Sequence, residues 1–271
     1  MPERRQPRSS RQGTQPSEGR GAAGAAGRAI LVFGIHAVAA VLANPRRNIR
    51  GLYLTDNAER RLCQALGDRQ IAPERVSPRD LDRRLGPDVV HQGALVEAEP
   101  LQEPSLADVA EGAANRPLLL LDQVTDPHNV GAVLRSAAVF GAGGLIMTRR
   151  HSPPLDGTLA KAASGALERV PLVLVQNLAR AIADLKASSF TVIGLDGDAT
   201  ERLEDGAWPE RAALVIGAEG KGLRQLTRES CDRLVRIAAD AAFVSLNVSN
   251  AAAVALHWAA AGRLGLLAPD R

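Results

Sequence analysis

Short apolar runs alternate with segments of helical periodicity through the second half of the chain, beginning at residue 118. Strands that are apolar along their whole length are buried on both faces, and the helices between them cover those faces. The runs are LLLL, GLIM, PLVLV, FTVIGLD, AALVIG and LVRIA. The sequence therefore predicts an α/β fold with a parallel sheet over residues 117–271, ending in a long helix from about Val248 to Arg263.

The segment after the four leucines, DQVTDPHNVGAVLRSA, places polar residues at the start of a helix. Asp126 is suited to accept hydrogen bonds from the free N–H groups of a first turn, and Pro127 suits the first helical position. An apolar stripe is predicted from Val130, Val133, Leu134, Ala137 and Ala138. Asn129 and Arg135 flank it, about 9 Å apart along the axis, and a helical arginine leans toward the N-terminus. We expect both to face one ligand at the carboxyl end of the strand.

The residues before this sheet divide into three segments. A small α/β unit is predicted over 29–100, and a partly helical linker over 101–116. Residues 1–28 hold six arginines against two glutamates and are rich in Gly, Ser, Gln and Pro, which predicts a disordered tail. Three interpretations of this tail stay open: a solvated extension, an arm that attracts RNA through phosphate neutralisation, and a cleaved transit peptide.

Composition and motif spacing argue against several classes of protein. The two cysteines lie far apart in sequence, so a disulfide framework or zinc site is not expected and a reducing cytoplasm fits. The sequence has no apolar run near the roughly 18 residues of a membrane span, so no membrane partner is expected. The five histidines form no HExxH or similar group, so no metal is predicted. Neither GAGG nor GAEGKGL has the spacing of a dinucleotide or phosphate loop.

A second polar loop, IGAEGKGL, follows a strand where a simple turn would suffice. Gly217, Gly220 and Gly222 permit backbone conformations and close ligand approach that side chains would block. Glu219 lies among them. Taken alone, the segment also fits a glycine-rich turn with a solvated glutamate.

A third polar loop, VSLNVSNAAAVAL, opens the alanine-rich C-terminal helix. Ser245, Asn247, Ser249 and Asn250 crowd its start, and capping accounts for one or two such residues rather than four. All three polar loops are predicted at strand carboxyl ends of one sheet. We therefore expect them to form one site.

In this order, NxxxxxR in DPHNVGAVLRSA, GAEGKGL and SLNVSNAAAVAL resemble the three motifs of the SpoU (TrmH-like) family of RNA ribose 2'-O-methyltransferases. The unit that opens with FGIHAV resembles the L30e-like RNA-binding domain of bacterial 23S rRNA guanosine 2'-O-methyltransferases. The resemblance implies a trefoil-knot (SPOUT) methyltransferase domain, S-adenosylmethionine (AdoMet) as methyl donor, 23S rRNA as partner and a homodimer.

Residue by residue, the resemblance implies a catalytic set and a cofactor set. The catalytic set is Asn129, Arg135, Glu219 and Asn247. The AdoMet set is Leu195, Gly217, Ile237, Ser245, Leu246 and Ser249. An arginine whose pKa exceeds about 12 is a poor proton acceptor, so a phosphate and ribose clamp is favoured for Arg135 over a general base.

Two alternatives to rRNA methylation stay open. One is a tRNA ribose 2'-O-methyltransferase, which the N-terminal unit disfavours, and the other is a noncatalytic RNA-binding protein with a relict pocket. Small residues on the last helix are further predicted to contribute to the homodimer interface, with packing inside one chain as the alternative. They are Ala251, Ala252, Ala255 and Ala259.

Overall fold

The computed structural model describes residues 29–205, 207–239 and 246–266, which build two sheets. The first unit contains β1 (Ile30–Phe33), α1 (Ile35–Ala43), β2 (Ile49–Leu54), α2 (Asp56–Arg69), β3 (Glu74–Arg75), α3 (Pro78–Leu85) and β4 (Ala94–Ala98). Its strands lie in the order β1-β4-β2-β3, with β4 antiparallel to both of its neighbours. This unit and its helices agree with the small α/β unit that the sequence predicts.

The second unit follows a short helix and contains a seven-stranded parallel sheet. Its first half comprises α4 (Leu106–Gly112), β5 (Leu118–Asp122), α5 (Pro127–Phe140), β6 (Gly144–Thr148), α6 (Gly157–Ala162), a 3-10 turn (Ala166–Glu168), β7 (Leu172–Val175) and α7 (Leu178–Ala187). Its second half comprises β8 (Thr191–Leu195), β9 (Glu201–Arg202), β10 (Ala212–Gly217), α8 (Gln225–Ser230), β11 (Arg233–Arg236) and α9 (Val248–Arg263).

The order of strands in the second sheet, β7-β6-β5-β10-β8-β11-β9, places a topological switch at its centre. The chain runs outward from β5 through β6 to β7, and then crosses to the other side of β5, where β10 lies between β5 and β8. Ligands of open α/β sheets bind at the carboxyl ends of the strands beside such a switch. The loops that follow β5 and β10 therefore lie where a ligand is expected.

The two units share one apolar core. Residues of α1 and β1 belong to the same buried cluster as residues of α5 and α6. The contact is close: a Cβ on Gly157 would lie 2.1 Å from the carbonyl oxygen of Leu31, and a Cβ on Gly165 would lie 2.6 Å from the Cβ of Ala40. Neither glycine position has room for a side chain, so the units pack directly against each other.

A buried ion pair crosses the same boundary. Arg47, from the loop after α1, donates from Nη2 to Glu168 Oε1 at 2.8 Å, and Arg47 Nε lies 3.0 Å from Glu168 Oε2. Asn44 Nδ2 adds a hydrogen bond to Glu168 Oε2 at 2.7 Å, and Arg47 Nη1 donates to the carbonyl of Glu99 at 2.6 Å. Both charged side chains are buried. This network fixes the first unit to the 3-10 turn of the second.

The structure departs from the sequence prediction at one helix and three strands. A single helix was expected near 155–167, but α6 ends at Ala162 because Ser164 and Gly165 have left-handed φ angles of 51° and 91°. A helix cannot continue through such residues. The short strands β1, β3 and β9 were not predicted, and two of them consist of a Glu-Arg pair without apolar pattern.

The alanines of α9 do not form a free surface. Ala252, Ala255 and Ala259 are completely buried, and α9 packs along α5 of the same chain. Packing within one chain, the alternative left open by the sequence, accounts for them. A partner subunit would have to use other side chains of these two helices, such as Val139 and Val254, which are exposed.

Candidate functional site

The start of α5 is built as the sequence predicts. Asp126 precedes the helix, and its Oδ1 accepts from the backbone N–H of His128 at 3.0 Å. Pro127 occupies the first helical position. The predicted stripe is buried except at Ala138, which is half-buried. Asn129 thus stands in the first turn of a firmly seated helix, directly beyond the carboxyl end of β5.

The three polar loops meet at Asn247. Its Nδ2 donates to Asn129 Oδ1 at 3.1 Å and to Glu219 Oε2 at 3.3 Å. Its Oδ1 accepts from the backbone N–H of Ser249 at 2.9 Å and from the Ser249 hydroxyl at 2.6 Å. Because capping of α9 uses the carbonyl oxygen, the amino group must face Asn129 and Glu219. The structure therefore brings together residues that lie up to 118 positions apart in sequence.

Arg135 does not join this cluster through any polar contact. It lies on the exposed side of α5, and within the described parts of the chain its guanidinium forms no hydrogen bond or ion pair. A free, fully charged fork beside the Asn129 turn is available to an anionic ligand. The expectation that Arg135 and Asn129 share one ligand stays a prediction.

The glycine-rich loop after β10 folds back over its own strand. Gly222 donates its N–H to the carbonyl of Ala218 at 2.9 Å, and Gly220 and Gly222 have left-handed φ angles of 75° and 64°. A Cβ on Gly217 would lie 2.1 Å from the carbonyl carbon of Gly222. At Gly217 the absent side chain makes room for the loop itself, which brings Glu219 back toward α9.

An ion pair that the sequence analysis missed ties this loop to the neighbouring strand. Asp122, the last residue of β5, is completely buried. Arg224 donates from its backbone N to Asp122 Oδ2 at 3.0 Å and from Nε to Asp122 Oδ1 at 2.7 Å. A carboxylate directly after four leucines is a signal in the sequence, since buried carboxylates need partners. The sequence contains no indication that the partner lies 102 residues away.

The residues expected to hold AdoMet lie on the other side of the switch. Leu195 ends β8, Ile237 follows β11, and the two strands pair with Leu195 opposite Val235. Leu195 and Ile237 pack partly against the core, whereas Leu246, just before α9, is 48% exposed. Ser245 lies outside the described residues. Partly open apolar side chains next to backbone groups at strand ends suit an adenosyl group, which has apolar faces and polar edges.

One thiol lies against the cofactor strand. Burial, with a further contribution from the charge of Asp232, raises the pKa of the Cys231 thiol to about 12. A Cβ on Gly194 of β8 would lie 3.0 Å from this sulfur. Cys231 is therefore a packing residue behind β8 and is neutral at physiological pH.

The described residues contain no group of three or more His, Cys, Asp or Glu side chains arranged to hold a metal ion. In the same part of the chain, every helix is too short or too polar to cross a membrane.

A parallel sheet in which these three loops meet beside a central switch defines a methyltransferase of the class that the motifs resemble. The chain belongs to the SpoU rRNA Methylase family, whose model matches residues 116–257. A second model, described as RNA 2'-O ribose methyltransferase substrate binding, matches residues 31–104. The family and the fold class that the sequence indicated, including the trefoil knot typical of this fold, are confirmed.

Relatives of known name share most of their length with this chain. It is 39% identical to the 23S rRNA (guanosine-2'-O-)-methyltransferase RlmB of Vibrio vulnificus, over 86% of this chain and 97% of that protein. It is 42% identical to the RlmB of Ralstonia nicotianae, over 84% of this chain and 94% of that protein.

Among solved structures, the SpoU methyltransferase AviRb from Streptomyces viridochromogenes in complex with the cofactor AdoMet has a similar fold. The TM-score is 0.73 at 24% identity, over 87% of this chain and 91% of that one. An rRNA methyltransferase from Sinorhizobium meliloti gives a TM-score of 0.72 at 21% identity, over 89% of both chains.

Proposed function

We propose that the protein transfers a methyl group from AdoMet to the ribose 2'-hydroxyl of a guanosine in 23S rRNA. The observation that carries this proposal is the convergence of Asn129, Glu219 and Asn247 through the amino group of Asn247. The identity of about 40% to the named RlmB enzymes, over most of both chains, supports the nucleoside and the RNA.

AdoMet supplies the electrophilic methyl group when it is bound. Leu195, Ile237 and Leu246 would hold its apolar faces, and backbone groups near Gly217 and the side chains of Ser245 and Ser249 would provide polar contacts. The close approach of the loop to Gly217 keeps this wall of the pocket rigid. Holding two reactants close to attack distance removes about 7–11 kcal/mol of barrier, so rigidity here contributes directly to rate.

The catalytic residues of this chain position the ribose. The Asn129 and Asn247 amides are mutually bonded, and their polar groups are half-buried beside the exposed Glu219 carboxylate. A carboxylate that is open to solvent and fixed at one oxygen can accept a hydrogen bond from a ribose hydroxyl with the other. Arg135 would clamp phosphate or ribose oxygens through its fork.

The first unit, over 29–100, would bind the RNA, with residues 101–116 as linker and 117–271 as the catalytic domain. We further propose that the protein acts in the cytoplasm as a homodimer and without a metal ion. The exposed Val139 and Val254 on the paired helices α5 and α9 support a subunit interface there, because apolar side chains of this size gain free energy when covered.

Ribose-methylation mapping across all rRNA and tRNA tests this proposal, in cells that lack the gene and in cells complemented with it. We expect one guanosine of 23S rRNA to lose its methyl group and to regain it with the wild-type gene, but not with Asn247→Ala. Loss at a tRNA position, or an unchanged map, would refute the assignment. Calorimetry with AdoMet should show binding that is insensitive to EDTA.

A further inference from the structure

A small cleft opens at the carboxyl ends of β6 and β7, on the side of β5 opposite to the cofactor strands. Its volume is about 220 Å³, below the roughly 300–1,000 Å³ of pockets for drug-sized ligands. Its polar lining includes Arg150, His151, Gln176 and Arg224, and no carboxylate group lines it. A cleft of this size and charge suits a small anionic group.

Arg150 is the principal free cation of this cleft. It is exposed, and its guanidinium has no hydrogen-bond or ion-pair partner in the parts of the chain that the structure describes. The adjacent Arg149 is different, because its Nη2 pairs with Glu103 at 2.6 Å, away from the cleft. Only the second of two neighbouring arginines is therefore left to bind a ligand.

Arg224 adds a second cation whose position is fixed. Its Nε and backbone N are bonded to Asp122, whereas its terminal nitrogens form no bond to any described residue. Guanidinium groups bind phosphate oxygens in this way, with one edge anchored and the other presented. The first turn of the ten-residue helix α7 also lines the cleft at Leu178 and Ala179, where backbone N–H groups lack helical partners.

The cleft lies at the same sheet edge as the proposed ribose site. β6 and β7 are the first and second neighbours of β5, and adjacent strands are about 4.8 Å apart, so the cleft is about 5–10 Å from the end of β5. The Asp122–Arg224 pair joins the two directly. A polynucleotide with its target ribose at Asn129 would pass this cleft with a neighbouring nucleotide.

We propose that this cleft binds a backbone phosphate of the substrate RNA, adjacent to the nucleotide that is methylated. The inference rests on the proposed RNA methyltransferase function. It adds Arg150 and the terminal nitrogens of Arg224 as a phosphate subsite that sets the register of the RNA along the sheet edge.

The first test compares Arg150→Gln with Arg149→Gln, since both remove one positive charge at adjacent positions. The probe is an RNA fragment that contains the mapped methylation position. The logarithm of RNA affinity falls linearly with the logarithm of salt concentration, with a slope of about 0.7–0.9 per neutralised phosphate. We expect Arg150→Gln to reduce the slope by about that amount and Arg149→Gln to leave it unchanged. Equal slopes in the two variants would overturn the proposal.

The second test locates the phosphate. Substrates carrying one methylphosphonate linkage, at each position flanking the target, are titrated with wild-type protein and with Arg150→Gln. We expect one linkage at which neutralisation weakens wild-type binding about 10-fold but hardly affects the variant. If the losses in the two proteins are additive at every linkage, Arg150 does not contact a flanking phosphate and the proposal fails.

Two controls separate other causes. AdoMet affinity measured by calorimetry should be the same in both variants, and wild-type methylation of the mapped RNA shows whether the underlying function holds. RNA binding is also measured with chloride replaced by inorganic phosphate at equal ionic strength. If Arg150→Gln alters only this phosphate competition and not the RNA slope, the cleft binds free phosphate and the RNA assignment is wrong.

Discussion

Arg224 holds the buried carboxylate of Asp122 with two donors, one from its backbone and one from its side chain. The bond joins the end of β5 to the residue that follows the glycine-rich loop after β10. Asn129 extends from the first of these segments, and Glu219 lies in the second. The relative position of these two proposed catalytic side chains therefore depends on the Asp122–Arg224 pair.

Asp122→Asn should lower the methylation rate by about 10- to 100-fold, because a displacement near 1 Å can cost that much when catalysis depends on positioning. An asparagine can accept only one of the two donors, and its amino group faces the other. Single-turnover kinetics at saturating AdoMet measure the effect. Glu103→Gln, which breaks the exposed pair with Arg149, is the matched control and should retain the wild-type rate. Similar rates in both variants would show that the pair has no positioning role.

Glu168→Gln should destabilise the whole protein by about 3–5 kcal/mol, because it leaves the buried Arg47 without its counter-charge. The matched control is Glu59→Gln, whose partner Arg75 is largely exposed and whose loss should cost about 0–1 kcal/mol. Urea unfolding measures both. The double variant Arg47→Met with Glu168→Leu should regain part of the lost stability, because apolar side chains need no counter-charge. A loss below 1 kcal/mol in Glu168→Gln would mean that the pair is open to water.

The two thiols should differ in reactivity. Cys63 is exposed, whereas burial raises the pKa of Cys231 to about 12, so at pH 8 almost none of it is thiolate. Iodoacetamide at pH 8 should therefore label Cys63 alone in the folded protein and both residues in urea. Mass spectrometry of peptides identifies the site, and rapid labelling of Cys231 in the native state would contradict the packing behind β8.

Removing residues 1–28 should flatten the salt dependence of RNA binding if the arginine-rich segment acts as an RNA arm. Each phosphate that its six arginines neutralise contributes about 0.7–0.9 to the slope, whichever RNA is bound. Affinity for unrelated RNA should fall as much as affinity for the substrate. Identical slopes with and without the segment would leave the solvated extension or the transit peptide as its explanation.

Local signals account for how closely the sequence predicted most helices and strands. The bounds of α3 were predicted as Pro78–Leu85 because a helix-compatible proline opens the segment, and in the structure Ser77 and Asp80 form a capping box there. The apolar runs of the parallel sheet are buried on both faces and need no partner to be recognised. By contrast, the break at Gly165 depends on the approach of Ala40 from another unit, which no local pattern encodes.

The candidate site was predicted through its motifs rather than through its geometry. The polar excess at the start of α9 indicated function, and the structure explains it, since Asn247 caps the helix with one atom and contacts Asn129 and Glu219 with another. The Asp122–Arg224 pair was missed because each residue alone is ordinary and their partnership spans 102 positions. Pairings of this range follow from strand order, which the sequence did not reveal.

Arg135→Lys separates the two roles considered for Arg135, and its exposed, unpaired state in the described structure makes the variant informative. Lysine keeps the charge and loses the fork. If Arg135 clamps phosphate or ribose, the variant should bind AdoMet normally and RNA nearly as well. Its rate should fall about 10- to 100-fold through misplacement of the ribose, and should rise little with pH.

If Arg135 acts instead as the general base, its replacement titrates at a lower pH, since a lysine pKa is about 10.4 against 12.5 or more for arginine. The variant should then keep substantial activity, and that activity should climb as the pH approaches 10 because the neutral amine becomes available. A single-turnover pH profile of Arg135→Lys distinguishes the two roles, with AdoMet affinity measured at each pH as the control. A steep alkaline rise at constant AdoMet affinity would rule out the clamp, whereas a flat profile at reduced rate would rule out the base.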